Sequence, residues 1–312
     1  MSAASKPVSA SRQGKQRQPN PTDKILGCFS NVPQNSTLDH LVRYFSTWSG
    51  TDKLMMITQY SSKLLIAFLT LQHALRIRLR YGTKGYHAPH GGSSIAKKLE
   101  KLSSLISDAR CLYRIWGILP ILKWMIALEK SPPPTRLLHN IERIQGWSMI
   151  LYCPLEAIAY LASHNILNIS QTTQNKLWLT SARAWAVYVM LQLLHLVEDN
   201  RLLRLRAKAL ERSRGHPSPP SSSSNVSKTS EKGLSAEQVQ TRRMWDELDT
   251  RKAAILNEFW VNLGYMPLTI HWSHPLGLFN DAWVGLFGTV AATAGIRSGW
   301  KATELPPDAA TQ

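Results

Sequence analysis

The sequence has few cysteines and few acidic residues for its length. Its three cysteines, Cys28, Cys111 and Cys153, are spread over 312 residues and form no C-x-x-C pair. This spacing argues against a disulfide framework or a zinc cluster and indicates a reducing compartment. Asp and Glu total 20 against 37 Lys and Arg, so the formal net charge is +17. Such a surplus favours a polyanionic partner, either nucleic acid or an anionic lipid surface.

Motifs of catalysis and cofactor binding are also missing. The sequence has no nucleotide-binding glycine loop, no G-x-S-x-G elbow and no H-E-x-x-H pair. "HGGSS" at 90–94 lacks the nucleophile elbow that an oxyanion-hole loop would need. The histidines near 195–199 and 271–274 have no companions at metal spacing. We therefore expect no enzyme, and no catalytic, cofactor-binding or metal site.

Targeting signals are not visible either. Residues 1–21 are polar and contain no apolar h-region, so no cleavable secretory signal is expected. The last three residues, Ala310-Thr311-Gln312, differ from the S-K-L type of peroxisomal matrix address. A matrix enzyme is therefore not expected.

Two segments of low complexity divide the chain. Residues 1–35 form a basic, Ser-, Pro- and Gln-rich stretch that predicts disorder, and the Ser- and Pro-rich residues 214–235 predict a flexible linker. Elsewhere apolar residues recur at intervals of three and four, not two, which predicts an all-α protein. The expected organisation is one helical region at 36–213, C-terminal helices at 236–301 and a tail at 302–312.

The periodic pattern also predicts the individual helices. Three prolines within "SPPPT" at 131–135 remove three amide donors and mark a firm break between two of them. The predicted helices cover residues 36–48, 51–80, 94–130, 136–166, 173–212, 236–262 and 276–300.

The segment 51–80 is amphipathic, although some apolar residues interrupt its polar side. It carries five basic residues minus one acidic, a charge of +4. Such a helix either packs its leucines into a bundle or lies on a membrane with its cations among the phosphates. The other apolar segments of the chain favour the second of these two interpretations. We therefore expect the segment 51–80, including its first part 51–69, to lie on a membrane.

Three of these apolar segments are weak candidates for crossing a bilayer. Residues 115–128 span only about 21 Å, against a hydrocarbon thickness of about 30 Å. Residues 146–162 contain Glu156, and residues 177–197 contain Arg183. A charge at the bilayer centre costs at least about 2.5 kcal/mol, so these segments favour bundle helices.

The strongest spanning candidate is 276–300. It has no charge between Ala282 and Ile296, while Arg297 and Lys301 can extend towards the headgroups. Small residues line it, and such surfaces let helices approach closely in lipid. The residues that we expect at helix–helix contacts are Gly285, Gly288, Gly295 and Gly299.

The basic residues lie beside apolar helices. Residues 200–214 contain six of them and only one acidic residue. This position indicates contact with anionic lipid. A basic nucleic-acid binder is the alternative, but the cations form no compact recognition module, and we expect no nucleic-acid partner.

Three segments in the same order resemble the peroxisomal biogenesis factor 11 family, with a fungal C-type member as the subfamily. "TDKLMMITQYSSKLL" at 51–65 resembles the family's N-terminal helix, and "DARCLYRIWGIL" at 108–119 its second, basic and aromatic helix. "WVGLFGTVAATAGI" at 283–296 resembles its C-terminal G-L-x-G-T membrane segment. The resemblance implies an all-α, membrane-associated bundle with amphipathic interfacial helices and a C-terminal Gly-rich membrane segment.

The resemblance also implies a function. The expected protein lies in the peroxisomal membrane, elongates it through an amphipathic helix, self-associates and recruits the dynamin-like fission machinery. The membrane-active helix would be 51–80, with lipid-facing cations and inserted apolar anchors: Lys53, Lys63, Arg76, Arg78 and Arg80, and Leu64, Phe68 and Leu71.

A channel for small metabolites is the other function that the sequence leaves open. In it the helices at 115–128, 146–162 and 177–197 would line a pore. Glu156 and Arg183 would then control ion selectivity.

Overall fold

A computed structural model of the chain describes residues 27, 33, 35–81, 94–214 and 236–304. Within this part every regular element is a helix, which confirms the all-α prediction. Most of the predicted segments 1–35, 214–235 and 302–312 lies outside it. The chain divides into two compact units, Met1–Leu41 and Val42–Gln312. The first unit contains the start of the first helix, and the second contains all that follows.

The helices agree closely with the periodicity of the sequence. A short 3-10 turn, Ile115–Gly117, joins the third helix to the fourth. The helices are α1 Ser36–Phe45, α2 Trp48–Tyr81, α3 Ser94–Arg114, α4 Ile118–Lys130, α5 Arg136–Ser163, α6 Gln171–Arg214, α7 Ala236–Trp272 and α8 Asp281–Ala302.

Helix ends follow local chemistry. The triple proline ends α4 at Lys130, and Thr135 caps α5 by accepting a hydrogen bond from the backbone N–H of Leu138. The last helix begins at Asp281 rather than at the predicted 276. Gly277 has a φ of +67°, which breaks the helix, and Asn280 accepts from the Trp283 N–H as the cap of α8.

Six helices of the second unit surround a common centre. They contact one another in the cyclic order α2, α3, α5, α6, α7, α8 and back to α2, while α4 packs against α5. The contact between α3 and α5 is the least extensive of the ring. We call this arrangement the six-helix ring.

Apolar packing holds the ring together at separate places rather than in one central core. One cluster joins α2, α7 and α8 through Met56, Tyr60, Leu268, Val284 and two alanines. Another joins α5 and α6 around Tyr152 and Cys153.

The first of these clusters corrects one prediction. Met56 and Tyr60 are buried in it, so the first half of the segment 51–69 is a wall of the protein core rather than a helix lying on a membrane. An isolated helical pattern does not distinguish the two, because both need one apolar face.

Polarity is reversed relative to a water-soluble bundle. Charged and amide side chains are buried, among them Gln59, Arg110, Gln145, Glu156 and Asn262. Large apolar side chains lie on the outside of every helix from α2 to α8, including Phe68, Leu105, Trp116, Trp147, Leu194, Trp260 and Trp283. An apolar outer surface of this extent indicates contact with lipid.

Within the described residues, three helical stretches are long and apolar enough to cross a membrane. They are Trp48–Leu79, Ser94–Lys130 and Gln171–Arg214. Residues 115–128 alone span only about 21 Å. The candidate stretch is longer because the helical path continues from Ser94, and Pro120 falls in the first turn of α4, where its missing N–H is tolerated. The glycine-rich α8 is not among the three, so its insertion stays a prediction.

Candidate membrane-contact surface and central polar cavity

The second half of α2 exposes a continuous apolar stripe. Phe68, Leu71, Leu75 and Leu79 are all exposed, Phe68 and Leu71 at 59% and Leu79 at 86%. At 3.6 residues per turn, these four positions fall within about 80° of the helix circumference. We call them the outer face of α2.

Cations flank this outer face on both sides. Arg76 and Arg78 are exposed, and on a helical wheel they fall on opposite edges of the apolar stripe. Their long side chains can lie along hydrocarbon while the guanidinium groups reach phosphates. The side chain of Arg80, predicted to act with them, lies outside the described residues.

Three other predicted membrane-binding residues lie elsewhere. Lys53 points into the protein, where its Nζ donates to the Tyr265 hydroxyl at 3.2 Å and lies 3.5 Å from Asp52. Leu64 is half-buried and lies against Gly285 of α8. Lys63 forms an ion pair with Asp281 at 2.6 Å. The prediction that these residues face lipid is corrected, because α8 and α7 cover that side of α2.

Three of the predicted packing glycines of α8, Gly285, Gly288 and Gly295, lie along α2, and the fourth, Gly299, lies against Tyr44 of α1. A Cβ at Gly285 would stand 3.1 Å from the Leu64 backbone nitrogen, and one at Gly295 would stand 3.0 Å from the Lys53 side chain. Gly288 lies against the Tyr60 ring, and a Cβ at Gly299 would stand 2.6 Å from the Tyr44 ring. The first three of these glycines therefore let two antiparallel helices of one chain approach closely.

A large cavity fills the centre of the six-helix ring. Its volume is about 1190 Å³, and every helix of the ring contributes to its lining. On α2 the lining runs from Ser49 to Ile66, which is about 26 Å at 1.5 Å per residue. The cavity lining thus extends along the first half of α2.

Ion pairs and hydrogen bonds crowd this cavity. Arg110 Nε donates to Asp52 at 2.9 Å, and Arg110 Nη1 donates to the Gln59 side-chain oxygen at 2.8 Å. Arg114 Nη2 donates to Glu156 at 2.8 Å. The lining contains four basic and five acidic residues: Lys53, Lys63, Arg110 and Arg114, and Asp52, Glu100, Glu156, Glu258 and Asp281. Because both signs are present in near balance, the cavity has no strong net charge.

The junction of α3 with α5, which we call the α3–α5 seam, is held mainly by polar contacts. Besides the Arg114–Glu156 pair, Asp108 accepts from the Tyr160 hydroxyl at 3.3 Å, and its other oxygen lies 2.8 Å from His164 Nε2. Exposed leucines of α3, Leu105 and Leu112, stand on its outer side. This is the junction of the ring with the least extensive contact.

A second, smaller cavity of about 290 Å³ adjoins the first, since Tyr188, Gln192 and Glu258 line both. Gln145 donates to Gln192 at 2.7 Å, and Gln192 donates to Glu258 at 3.2 Å. The polar interior therefore continues between α5, α6 and α7.

His271 organises the loop between α7 and α8, outside the three candidate spans. Its Nδ1 accepts from the backbone N–H groups of Leu278 at 2.9 Å and Phe279 at 3.0 Å. Burial lowers the pKa of His271 from its ordinary value of 6.5, with Asp281 acting against this shift and Lys63 adding to it. The neutral ring is the form that can accept these two bonds.

Sequence reasoning missed most of the cavity, although a signal for it exists. Ser103, Ser107, Arg110 and Arg114 recur on α3 at intervals of three and four, which places them on one face. Of the two residues proposed to line a pore, Glu156 lines the cavity. Arg183 does not: it is exposed and donates to the Ser273 carbonyl at 3.3 Å. No cluster of metal-ligating side chains occurs among the described residues.

These features define a helical bundle of membrane type, with an apolar exterior and a polar interior. A family model described as Peroxisomal biogenesis factor 11 matches residues 75–300. The chain belongs to this family, which confirms the resemblance, and the second and third resembling segments fall within the matched range. It is therefore a member of a family of peroxisome biogenesis factors, which is not a known enzyme family.

One curated relative is an uncharacterized protein of Schizosaccharomyces pombe. It is 27% identical over 104 residues, which is 33% of this chain and 50% of that protein. The match thus spans about half the length of this relative. No solved structure matches the chain.

Proposed function

We propose that this protein elongates the peroxisomal membrane and promotes division of the organelle by inserting the outer face of α2 into one leaflet. The observation that carries the proposal is the exposed apolar stripe of α2 with an arginine on each side. A helix of this kind lies in the interface with its apolar face buried by about 5–10 Å.

The structure gives this helix a fixed base. Its first half is held in the core by Met56 and Tyr60, and Asp52 is paired with Arg110. The second half carries the outer face beyond the last cavity-lining residue, Ile66. Insertion of apolar volume into one leaflet expands that leaflet relative to the other and favours curvature.

The proposal includes self-association and contact with the dynamin-like fission machinery, which the family resemblance implies. Self-association would concentrate inserted helices and increase their effect on curvature. Chemical crosslinking in isolated peroxisomal membranes tests it, and a monomer at all crosslinker concentrations would refute this part.

The decisive test in cells replaces Phe68 and Leu71 with Asp. Cells with the double variant should contain fewer and rounder peroxisomes, while the variant protein still localises to them. Thr70→Asp is the matched control, because Thr70 is exposed on the opposite side of the same helix. Normal elongation by the double variant would refute the proposal.

A pore for small metabolites is a second candidate, favoured by the polar cavity along the bundle. Because Glu156 lines the cavity, Glu156→Gln should change conductance in a planar bilayer. Arg183→Gln should not, since Arg183 lies outside the lining. Equal effects of the two substitutions, or no conductance at all, would argue against a pore.

A further inference from the structure

The central cavity has properties that neither membrane bending nor solute passage needs. It is large, nearly neutral overall, and lined by paired charges of both signs and by aromatic rings, and on one side it is closed by the seam with its polar contacts. We propose that this cavity carries the headgroups of zwitterionic phospholipids between the two leaflets, with the α3–α5 seam as the opening to the bilayer. The proposal requires the six-helix ring to span a membrane with the first half of α2 across it, which is a different placement of α2 from the interfacial one in the bending proposal.

Length is the first argument. The cavity lining on α2 covers about 26 Å, and its polar residues, from Ser49 to Lys63, cover about 21 Å of this. A headgroup inside the cavity would therefore have polar partners over about two thirds of the roughly 30 Å of a hydrocarbon core. The volume of about 1190 Å³ exceeds the roughly 300–1,000 Å³ of pockets that hold drug-sized molecules.

Charge is the second argument. Ion-selective pores use rings of a single sign, whereas here Arg110 and Arg114 stand beside Asp52 and Glu156. A phosphate can exchange onto an arginine while an ammonium group exchanges onto the released carboxylate. A zwitterion therefore replaces one internal pair by two external pairs without leaving a buried charge unpaired.

Aromatic side chains add a site for quaternary ammonium. Trp185 stacks on Trp272 with a centroid distance of 5.7 Å and meets Tyr265 edge-on at 5.4 Å, and all three rings line the cavity. Tyr265 already receives a cation, because Lys53 Nζ lies 5.7 Å from its ring centroid. Rings arranged around a cation are the usual means of binding choline.

The opening is the third argument. A lipid whose headgroup is in the cavity must leave its acyl chains in the bilayer, so the ring must part at one side. The α3–α5 seam has the least extensive contact of the ring and is joined by Arg114–Glu156 and by Asp108 with Tyr160 and His164. Headgroups can compete for these polar contacts, and the exposed Leu105 and Leu112 offer apolar borders for the chains.

The test uses full-length protein in phosphatidylcholine vesicles that contain a trace of fluorescent phosphatidylcholine. Dithionite bleaches label in the outer leaflet, and albumin extracts it from there without entering the vesicle. We expect both reagents to remove label from both leaflets in protein-containing vesicles, but only from the outer leaflet in protein-free ones. Bleaching of the inner label without its extraction by albumin would show passage of solute instead and would overturn the proposal, as would no loss beyond the protein-free level.

A pair of substitutions on α3 assigns the route. Ser107→Trp places a bulky ring in the cavity lining and should slow lipid transfer at least tenfold, whereas Leu102→Trp, at an exposed position of the same helix outside the lining, should not. Equal rates for the two would refute the route. The Phe68→Asp, Leu71→Asp variant lies outside the cavity and should transfer lipid normally, so failure of the bending proposal and failure of this one can be told apart.

Discussion

Replacing Phe68 and Leu71 with Asp should release the second half of α2 from the membrane surface. Both side chains are 59% exposed, and full burial of a large apolar side chain is worth about 1.5–3 kcal/mol. Moving the exposed parts into hydrocarbon is therefore worth about 1–2 kcal/mol each, or about 2–4 kcal/mol together. At 1.4 kcal/mol per factor of ten, their loss lowers the inserted fraction at least about thirtyfold.

The assay is tubulation of proteoliposomes, followed by electron microscopy over a series of protein-to-lipid ratios. We expect the ratio at which tubules appear to rise by at least about tenfold for the double variant. Thr70→Asp changes an exposed position on the opposite side of the helix and should leave the ratio unchanged. An unchanged threshold in the double variant, or an equal shift in the control, would refute the reasoning.

Three further predictions follow from the contacts. Arg76→Gln with Arg78→Gln should weaken tubulation of anionic vesicles by roughly 1 kcal/mol per arginine and leave neutral vesicles unaffected; an equal loss on both would contradict it. Gly288→Leu should destabilise the α2–α8 contact by about 1–3 kcal/mol in thermal unfolding because Tyr60 occupies the space, whereas Gly117→Ala meets nothing within 4 Å and should be neutral. The pKa of His271 is lowered in the folded chain. The neutral ring therefore stabilises the fold at pH values above the ordinary pKa of 6.5, and this stabilisation is lost as the pH falls from there towards the pKa of the folded chain. Proteolysis of loop 273–280 should accordingly rise on acidification in the wild type, and a His271→Gln variant should lose this dependence.

Much of the fold could be predicted from local pattern. The helix positions follow from apolar periodicity, and the break after Lys130 follows from three prolines, because both act over a few residues. The predicted start of the last helix at 276 was wrong for an equally local reason, because Gly277 has a positive φ and Asn280 caps the helix.

The site could be predicted only in part. The family resemblance implied that Phe68, Leu71, Arg76 and Arg78 contact the membrane, and all four are exposed. The sequence could not show that Lys53 faces a cavity. In a bundle whose exterior is apolar, the polar face of a helix points inward. The side chains that this face contacts come from helices far away in the sequence. The Lys53–Tyr265 bond, for example, joins residues 212 positions apart.

The proposed function requires the outer face of α2 to lie in lipid, and site-directed spin labelling measures this position. A spin label is placed at Leu75, or at Thr70 as control, in full-length protein whose Cys28, Cys111 and Cys153 are replaced by Ser, and the protein is reconstituted in anionic vesicles. Collisions with dissolved oxygen report on hydrocarbon, and collisions with a water-soluble nickel complex report on solvent. We expect the label at Leu75 to be accessible to oxygen and protected from nickel. Its ratio of oxygen collisions to nickel collisions should be higher than that of the label at Thr70. A label at Leu75 as accessible to nickel as the one at Thr70 would contradict it.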